Sequence, residues 1–306
     1  MLVVKHVIKN IGSSHVYVNA SPRLIIFVSV IIVATIAYFF LSAPSSFDIR
    51  KLKLLKADPV NGEYVYRVAG CSGCHLGEGK SKKNYLAGGQ RFETNFGTFV
   101  APNISNSKIY GIGNWNFKSF YGAVKFGQSP EGMHYFPAFP YTTYIKMTDQ
   151  DVLDLWSFWK TLPSVDVPSK KHEVNFPFNI RLNIGIWKRL YLSNKFVDAT
   201  PDRATYIVEA LGHCAECHTP RDILGGLKES KWMLGAENPS GEGKIPPIHP
   251  SGLRWNKKEI VEYLSSGFTP DFDVAGGKMA SIIEQTSKLT SYDLDLIADY
   301  LLRLQN

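Results

Sequence analysis

Thiols are scarce in this chain of 306 residues: it has four cysteines, and all four fall in two pairs spaced C-x-x-C. No cysteine is left over for a long-range disulfide or a lone reactive thiol. Acidic residues are missing from the start, where Asp48 is the first, while Lys5, Lys9 and Arg23 come before it. Without that opening stretch the balance is 31 basic to 27 acidic residues, a nominal +4 against +7 for the whole chain. Such a weakly basic surface suits a solvated face or the docking of an acidic partner. Basic runs interleaved with aromatics are also lacking, so nucleic acid is not an expected partner. The chain does have 44% hydrophobic and 13% aromatic content, enough for two domains with cores of their own and for covering flat apolar cofactors.

Each cysteine pair is followed at once by histidine: Cys71-Ser72-Gly73-Cys74-His75 and Cys214-Ala215-Glu216-Cys217-His218. C-x-x-C-H is the attachment signature of c-type haem, with two thioethers to the porphyrin and the histidine placed to ligate iron. A thioredoxin-like dithiol needs a βαβ setting and no paired histidine. A zinc site needs four ligands on one ion, whereas these pairs lie 143 residues apart. The expectation is two covalently bound c-type haems, held by Cys71, Cys74 and His75 and by Cys214, Cys217 and His218.

Residues 24–41 carry no charge over 18 positions. As a helix they extend about 27 Å, enough to cross a hydrocarbon core. Tyr38, Phe39 and Phe40 near the end suit an interface belt. Basic residues on the amino-terminal side place residues 1–23 in the cytoplasm and everything after about Ser42 outside it. The rival is a cleaved signal peptide, for which Ala43-Pro44-Ser45 is a poor cleavage site; an uncleaved anchor in a bacterial inner membrane, in contact with its lipid, is the expectation. Residues 1–23 are too few for a signalling domain.

The rest repeats itself. Apolar stretches 63–70 and 204–212 each lead into a haem motif, and Trp115-Asn116 matches Trp255-Asn256 at an offset of 140. The same offset pairs Lys118 with Lys258, Gly127 with Gly267 and Pro130 with Pro270. Each copy closes on Thr-x-x-Asp, Thr148 to Asp151 and Thr290 to Asp293, read as capping boxes with aspartate for glutamate. Apolar residues then recur at helical spacing: Val152, Leu155, Trp156 and Trp159, then Leu294, Ile297, Ala298 and Leu301. The expected layout is one domain over 58–163, a linker over 164–201 rich in proline, asparagine and basic residues, and a second domain over 202–306.

From about residue 58 onward the chain resembles a dihaem, membrane-anchored member of the class I cytochrome c family, closest to the cytochrome subunits of bacterial periplasmic dehydrogenases of the quinoprotein alcohol type. The likeness rests on Tyr64-Val65, on 101–105, 111–115 and 135–141, and on 212–221, 267–273 and 276–279, which include Met279. It implies an all-α fold of two tandem class I domains after one transmembrane helix. It also implies iron held between histidine and methionine, a soft thioether ligand that raises the reduction potential. For the second haem the distal ligand is then Met279, after Gly276-Gly277, with Met233 as alternative. For the first, Met279 falls on Phe139 at the 140-residue offset, where relatives often have methionine. Met147 is the expected ligand there, with Met133 and His134 as alternatives. Asn103, Trp115 and Trp255 are implied pocket residues and Arg221 a propionate partner; His172, His213 and His249 have no motif.

The implied function is electron relay without bond-breaking: from a periplasmic dehydrogenase or other donor, through two haems, to a soluble cytochrome or terminal oxidase. The alternative is a dihaem enzyme, either a peroxidase with an open distal site or a thiosulfate-oxidising cytochrome. The latter type uses a cysteine-ligated haem, for which no cysteine remains.

Overall fold

The structure is a computed structural model; it describes residues 21–50, 52, 55–77, 84–200, 202–239 and 243–304. Lys5, Lys9 and most of the expected 1–23 segment lie outside the described residues. The chain divides into two units, Met1–Leu41 and Ser42–Asn306. The described residues of the first form most of one helix, α1 (Pro22–Ser42), with mean hydropathy 2.9 and its apolar side chains exposed. It is long and apolar enough to cross a membrane.

The haem motifs both lie in the second unit. Its first helix, α2 (Pro59–Val68), starts because Asp58 accepts from the Val60 amide at 2.8 Å and Pro59 presets the first turn. A left-handed Gly70 (φ 62°) turns the chain into α3 (Cys71–His75). Then come β1 (Arg91–Thr94), β2 (Gly97–Val100), α4 (Phe117–Phe126), α5 (Tyr141–Tyr144) and α6 (Asp149–Trp159). Residues 164–201 supply β3 (Glu173–Val174) and α7 (Asn183–Tyr191). The second half has α8 (Arg203–Tyr206), α9 (Cys214–His218), β4 (Ala236–Glu237), β5 (Lys244–Ile245), α10 (Lys257–Ser266), α11 (Gly277–Thr286) and α12 (Ser291–Arg303).

The structure is mainly helical, as expected, but not free of strands. β1, β2 and β3 form an antiparallel sheet in that order, and β4 pairs with β5. All are four residues or fewer, too short for an alternating pattern to stand out, and β3 comes from a segment expected only to connect. That segment packs along its length: Lys188 Nζ donates to the Phe126 and Gly127 carbonyls at 2.6 and 2.8 Å, and Trp187 Nε1 to the Leu224 carbonyl at 2.9 Å.

The predicted apolar faces of the closing helices are buried: Val152, Leu155, Trp156 and Trp159 in one core, Leu294, Ile297, Ala298 and Leu301 in another. Thr148 and Thr290 cap α6 and α12, each accepting from the amide three residues on at 3.1 Å. The expected reciprocal arm is absent at both, because aspartate is a methylene shorter than glutamate. Asp151 instead accepts from Asn61 Nδ2 at 2.7 Å and Asp293 from Arg203 Nη2 at 2.8 Å, which ties the closing helix of each half to its entry helix. The complete capping box is at Asn256 and Glu259, before α10.

The halves also repeat across their contact. Tyr206 of the second half hydrogen-bonds Asp151 and accepts from the Thr148 amide at 3.0 Å. Its counterpart at an offset of 142, Tyr64, reaches Asp293 and Arg203. Each half thus places its entry-helix tyrosine on the other's helix cap.

Candidate haem sites

α3 and α9 are single turns in which cysteine, cysteine and histidine follow at i, i+3 and i+4, so thiols and imidazole share a face. The four thiols are unpaired. His75 Nδ1 lies 2.9 Å from the Pro102 carbonyl and His218 Nδ1 2.7 Å from the Pro246 carbonyl. A carbonyl only accepts, so Nδ1 bears the proton and Nε2 keeps its lone pair, as an iron ligand requires. The His75 and His218 carbonyls accept from Gly88 and Gly235, each at 2.8 Å, which pins both ring-bearing turns alike. Burial pushes His75 down to about 4 and lowers His218, so both rings are neutral at physiological pH. Burial raises the Cys71 thiol to about 12 and the Cys74 and Cys214 thiols to about 11. Pro102 and Pro246 were not singled out from the sequence; their similar distance after each histidine, 27 and 28 residues, was the available signal.

The two attachment turns meet. In the entry helices the halves register at an offset of 142, Tyr64 on Tyr206, but from the residue before each motif, Gly70 and His213, they register at 143. The extra residue is taken up by one π turn, Ile207–Leu211, closed by a 2.7 Å bond from the Gly212 amide to the Ile207 carbonyl. That insertion puts His213 just before Cys214, and a Cβ on Gly70, just before Cys71, would lie 3.3 Å from His213 Nε2. The His213 ring is also 6.3 Å from the Tyr144 ring. Lys278 on α11 lowers the thiols of both Cys74 and Cys217, though burial outweighs it at each. Glu216, inside the second motif, accepts from Thr142 Oγ1 of the first half at 2.6 Å.

The residues expected as distal ligands differ in exposure and surroundings. Met279 is partly exposed on α11 against the second core. Met147 is 1% exposed inside the first core, and Met233 is fully buried inside the second. Met133 is 53% exposed. His134 has both ring nitrogens engaged: Nε2 donates to the Ser42 carbonyl at 2.8 Å and Nδ1 accepts from Lys188 Nζ at 3.1 Å.

No protein-family model matches the chain. Over 283 residues it is 43% identical to a "Diheme cytochrome c-type" protein of Cereibacter sphaeroides, covering 90% of this chain and 96% of that one. The chain belongs to the dihaem c-type cytochromes. It is also 33% identical over 252 residues to the fructose dehydrogenase cytochrome subunit of Gluconobacter japonicus, and 33% over 259 residues to the cytochrome c subunit of the quinone alcohol dehydrogenase of Gluconacetobacter polyoxogenes. In each case 78% of this chain is covered, and it spans about half of the relative, 51% and 54%.

As a dihaem cytochrome the chain carries two covalently bound c-type haems. The donor sets fit them: two free thiols and a histidine with a proton-free Nε2, built twice. No cluster of three or more histidine, cysteine or acidic side chains suited to a metal ion occurs among the described residues. The other implied residues make contacts within the protein. Asn103 Nδ2 donates to the Val165 and Val167 carbonyls, both at 2.7 Å. Arg221 pairs with Glu216 and donates to the Gly225 carbonyl at 2.8 Å. Trp115 and Trp255 pack against the first and second cores. His172 Nδ1 accepts from the Val100 amide at 3.1 Å, and His249 Nδ1 lies 2.9 Å from Ser251 Oγ.

Proposed function

We propose that this cytochrome is a membrane-anchored electron relay with two tandem class I domains, 58–163 and 202–306, joined through 164–201. In this reading Cys71 and Cys74 hold one haem and Cys214 and Cys217 the other. His75 and His218 are the iron ligands on one face, and Met279 is the second ligand of the second haem. Each haem iron supplies a ferric–ferrous couple, one electron at a time. The chain's own residues do the positioning. The Pro102 and Pro246 carbonyls fix the imidazole tautomers. The partly buried Glu216, bridging Thr142 and Arg221, ties the second attachment turn to the first half.

The observation that carries the reading is the approach of Gly70 to His213, which brings the starts of both attachment turns together. A relay needs that proximity; two independent carriers on one chain do not. The anchor is α1, kept in the mature protein, with the amino terminus in the cytoplasm and the haem domains in the periplasm, which its length and apolar surface support. The similarity to fructose and alcohol dehydrogenase cytochrome subunits supports a periplasmic dehydrogenase as donor. The acceptor is a soluble cytochrome or a terminal oxidase.

The test uses the full chain, matured with haem and held in detergent. The absorbance of the reduced pyridine complex of the covalently held haem should count two per chain, falling to one when Cys71 and Cys74, or Cys214 and Cys217, become alanine. After a light-triggered pulse of reduced flavin, the two haems should re-equilibrate at a rate independent of protein concentration. A rate that rises in proportion to concentration would mean exchange between molecules and end the relay reading.

A further inference from the structure

The two halves disagree at one functional position. The loop after α4 and the loop after α10 repeat bond for bond at an offset of 140. Gly127 and Gly267 are both left-handed, and their carbonyls accept from the Tyr135 and Ala275 amides at 2.7 and 2.8 Å. Ser129 bonds the Met133 carbonyl as Thr269 bonds that of Asp273, both at 2.8 Å, and the bridges Gln128–His134 and Phe268–Val274 match. By the caps of the closing helices, Thr148 and Thr290, the offset has become 142. Met279 therefore corresponds to Phe139 in one frame and to Pro137 in the other, and in neither to a methionine.

The remaining methionines have ordinary counterparts. Met147 and Leu289 each precede the capping threonine, and both are buried. Met233 corresponds to Leu86, since their carbonyls accept from Ile248 and Ile104, each at 3.0 Å, and both side chains are fully buried. Methionine that alternates with leucine inside a core is a space-filling side chain. Met133 corresponds to Asp273, on the exposed turn of the loop.

We propose that the first haem has no methionine ligand, is five-coordinate at rest, and takes a small neutral π-acceptor molecule, carbon monoxide or nitric oxide, as its sixth ligand. This rests on the reading that Cys71, Cys74 and His75 hold that haem. Phe139 stands in an aromatic group, with ring centroids 6.3, 6.1 and 6.0 Å from Tyr135, Tyr141 and Tyr144. The Tyr141 hydroxyl donates to the Tyr135 carbonyl at 3.2 Å and that of Tyr144 to the Ala69 carbonyl at 2.6 Å. With the Tyr141 and Tyr144 hydroxyls committed in this way the surface around Phe139 is largely apolar, which favours neutral diatomic ligands over anions, since distal polarity and hydrogen-bond donors decide what haem iron accepts. His134, with both nitrogens engaged, does not fill the position.

The test is carbon monoxide titration of the dithionite-reduced full chain, alongside low-temperature spin resonance of the ferric form and an independent haem count. The expected result is one carbon monoxide per two haems, with one high-spin and one low-spin ferric signal. Phe139→Met should abolish carbon monoxide binding and make both signals low-spin. Met279→Leu should raise the stoichiometry to two per chain, and Met147→Leu should change neither readout. Two low-spin signals without carbon monoxide uptake would overturn the inference, as would new uptake in Met147→Leu. If two haems are counted in that case, only this inference falls; a count below two takes the underlying assignment of the motifs with it.

Discussion

In the first half the entry helix crosses the closing helix at Gly62; in the second, 142 residues on, the matching residue is Ala204. A Cβ on Gly62 would lie 2.0 Å from the Asp154 carbonyl oxygen and 2.8 Å from Phe158 Cβ, so α2 and α6 touch backbone to backbone. Ala204 is 1% exposed, and its methyl is accommodated. The second half ties its helices with ions instead: Arg303 at the end of α12 bonds Asp198 at 2.9 Å and Asp202 at 2.7 Å. Thr161 stands at Arg303's place in the first half and bonds only its own helix end, donating to the Phe158 carbonyl at 2.7 Å. One plan is thus held by close steric fit in one copy and by charge in the other. A duplicated fold conserves where helices go, while the device that keeps them there is free to change.

The sharpest break of that comparison is at the crossing. Gly62→Ala should destabilise the first half by roughly 3 kcal/mol or more, because the clash is with rigid backbone rather than a side-chain tip. Ala204→Gly should cost only about 1 kcal/mol, the backbone penalty of glycine in a helix. Thermal unfolding of the haem-loaded chain, followed by haem absorbance, measures both. Equal losses at the two positions would show that the crossings are equally tight.

Part of this was legible beforehand. C-x-x-C-H, the apolar stripes of α6 and α12, and the Trp-Asn and Thr-x-x-Asp repeats are dense local patterns, and each sits where the spacing put it. What escaped were features made by distance in space. The imidazole partners are main-chain carbonyls of Pro102 and Pro246, and a backbone acceptor has no residue type to recognise. The π turn was hidden because a one-residue insertion reads as a slightly imperfect repeat. The burial of Met147 beside Val152 and Leu155 escaped too, since it depends on packing that composition does not reveal.

A smaller effect should separate the halves at acid pH. The Arg303 guanidinium, hydrogen-bonded to Asp202, holds that carboxyl below its ordinary 3.8, against a lesser opposing effect of burial. A carboxyl lowered by folding contributes stability above its unfolded value and loses it as the pH falls through the folded one. Asp202→Asn keeps an N-cap for α8 but removes the charge. The gap in unfolding midpoint between parent and variant should therefore be open at neutral pH and close as pH drops below 3.8. Because Asp202 is exposed, the gap is a modest one. A gap unchanged from neutral to acid pH would locate the effect in the cap rather than in the ion pair.

The smallest difference lies at the helices after each Trp-Asn pair. Asn116 accepts from the Ser119 amide at 2.9 Å and Asn256 from the Glu259 amide at 3.2 Å, so both cap, and alanine at either should cost about 1 kcal/mol. Only the second has the return bond, from the Asn256 amide to Glu259 Oε2 at 2.7 Å, since Ser119 is too short to reach back. Ser119→Glu should complete the box before α4 and raise stability by about 0.5 kcal/mol, while Glu259→Ala should lose a similar amount before α10. Unfolding midpoints of the two variants, read beside the parent, decide it. A gain at Ser119 that vanishes in an Asn116→Ala background would show that the new carboxylate works through the box and not through the helix dipole, because the dipole is there with or without the asparagine.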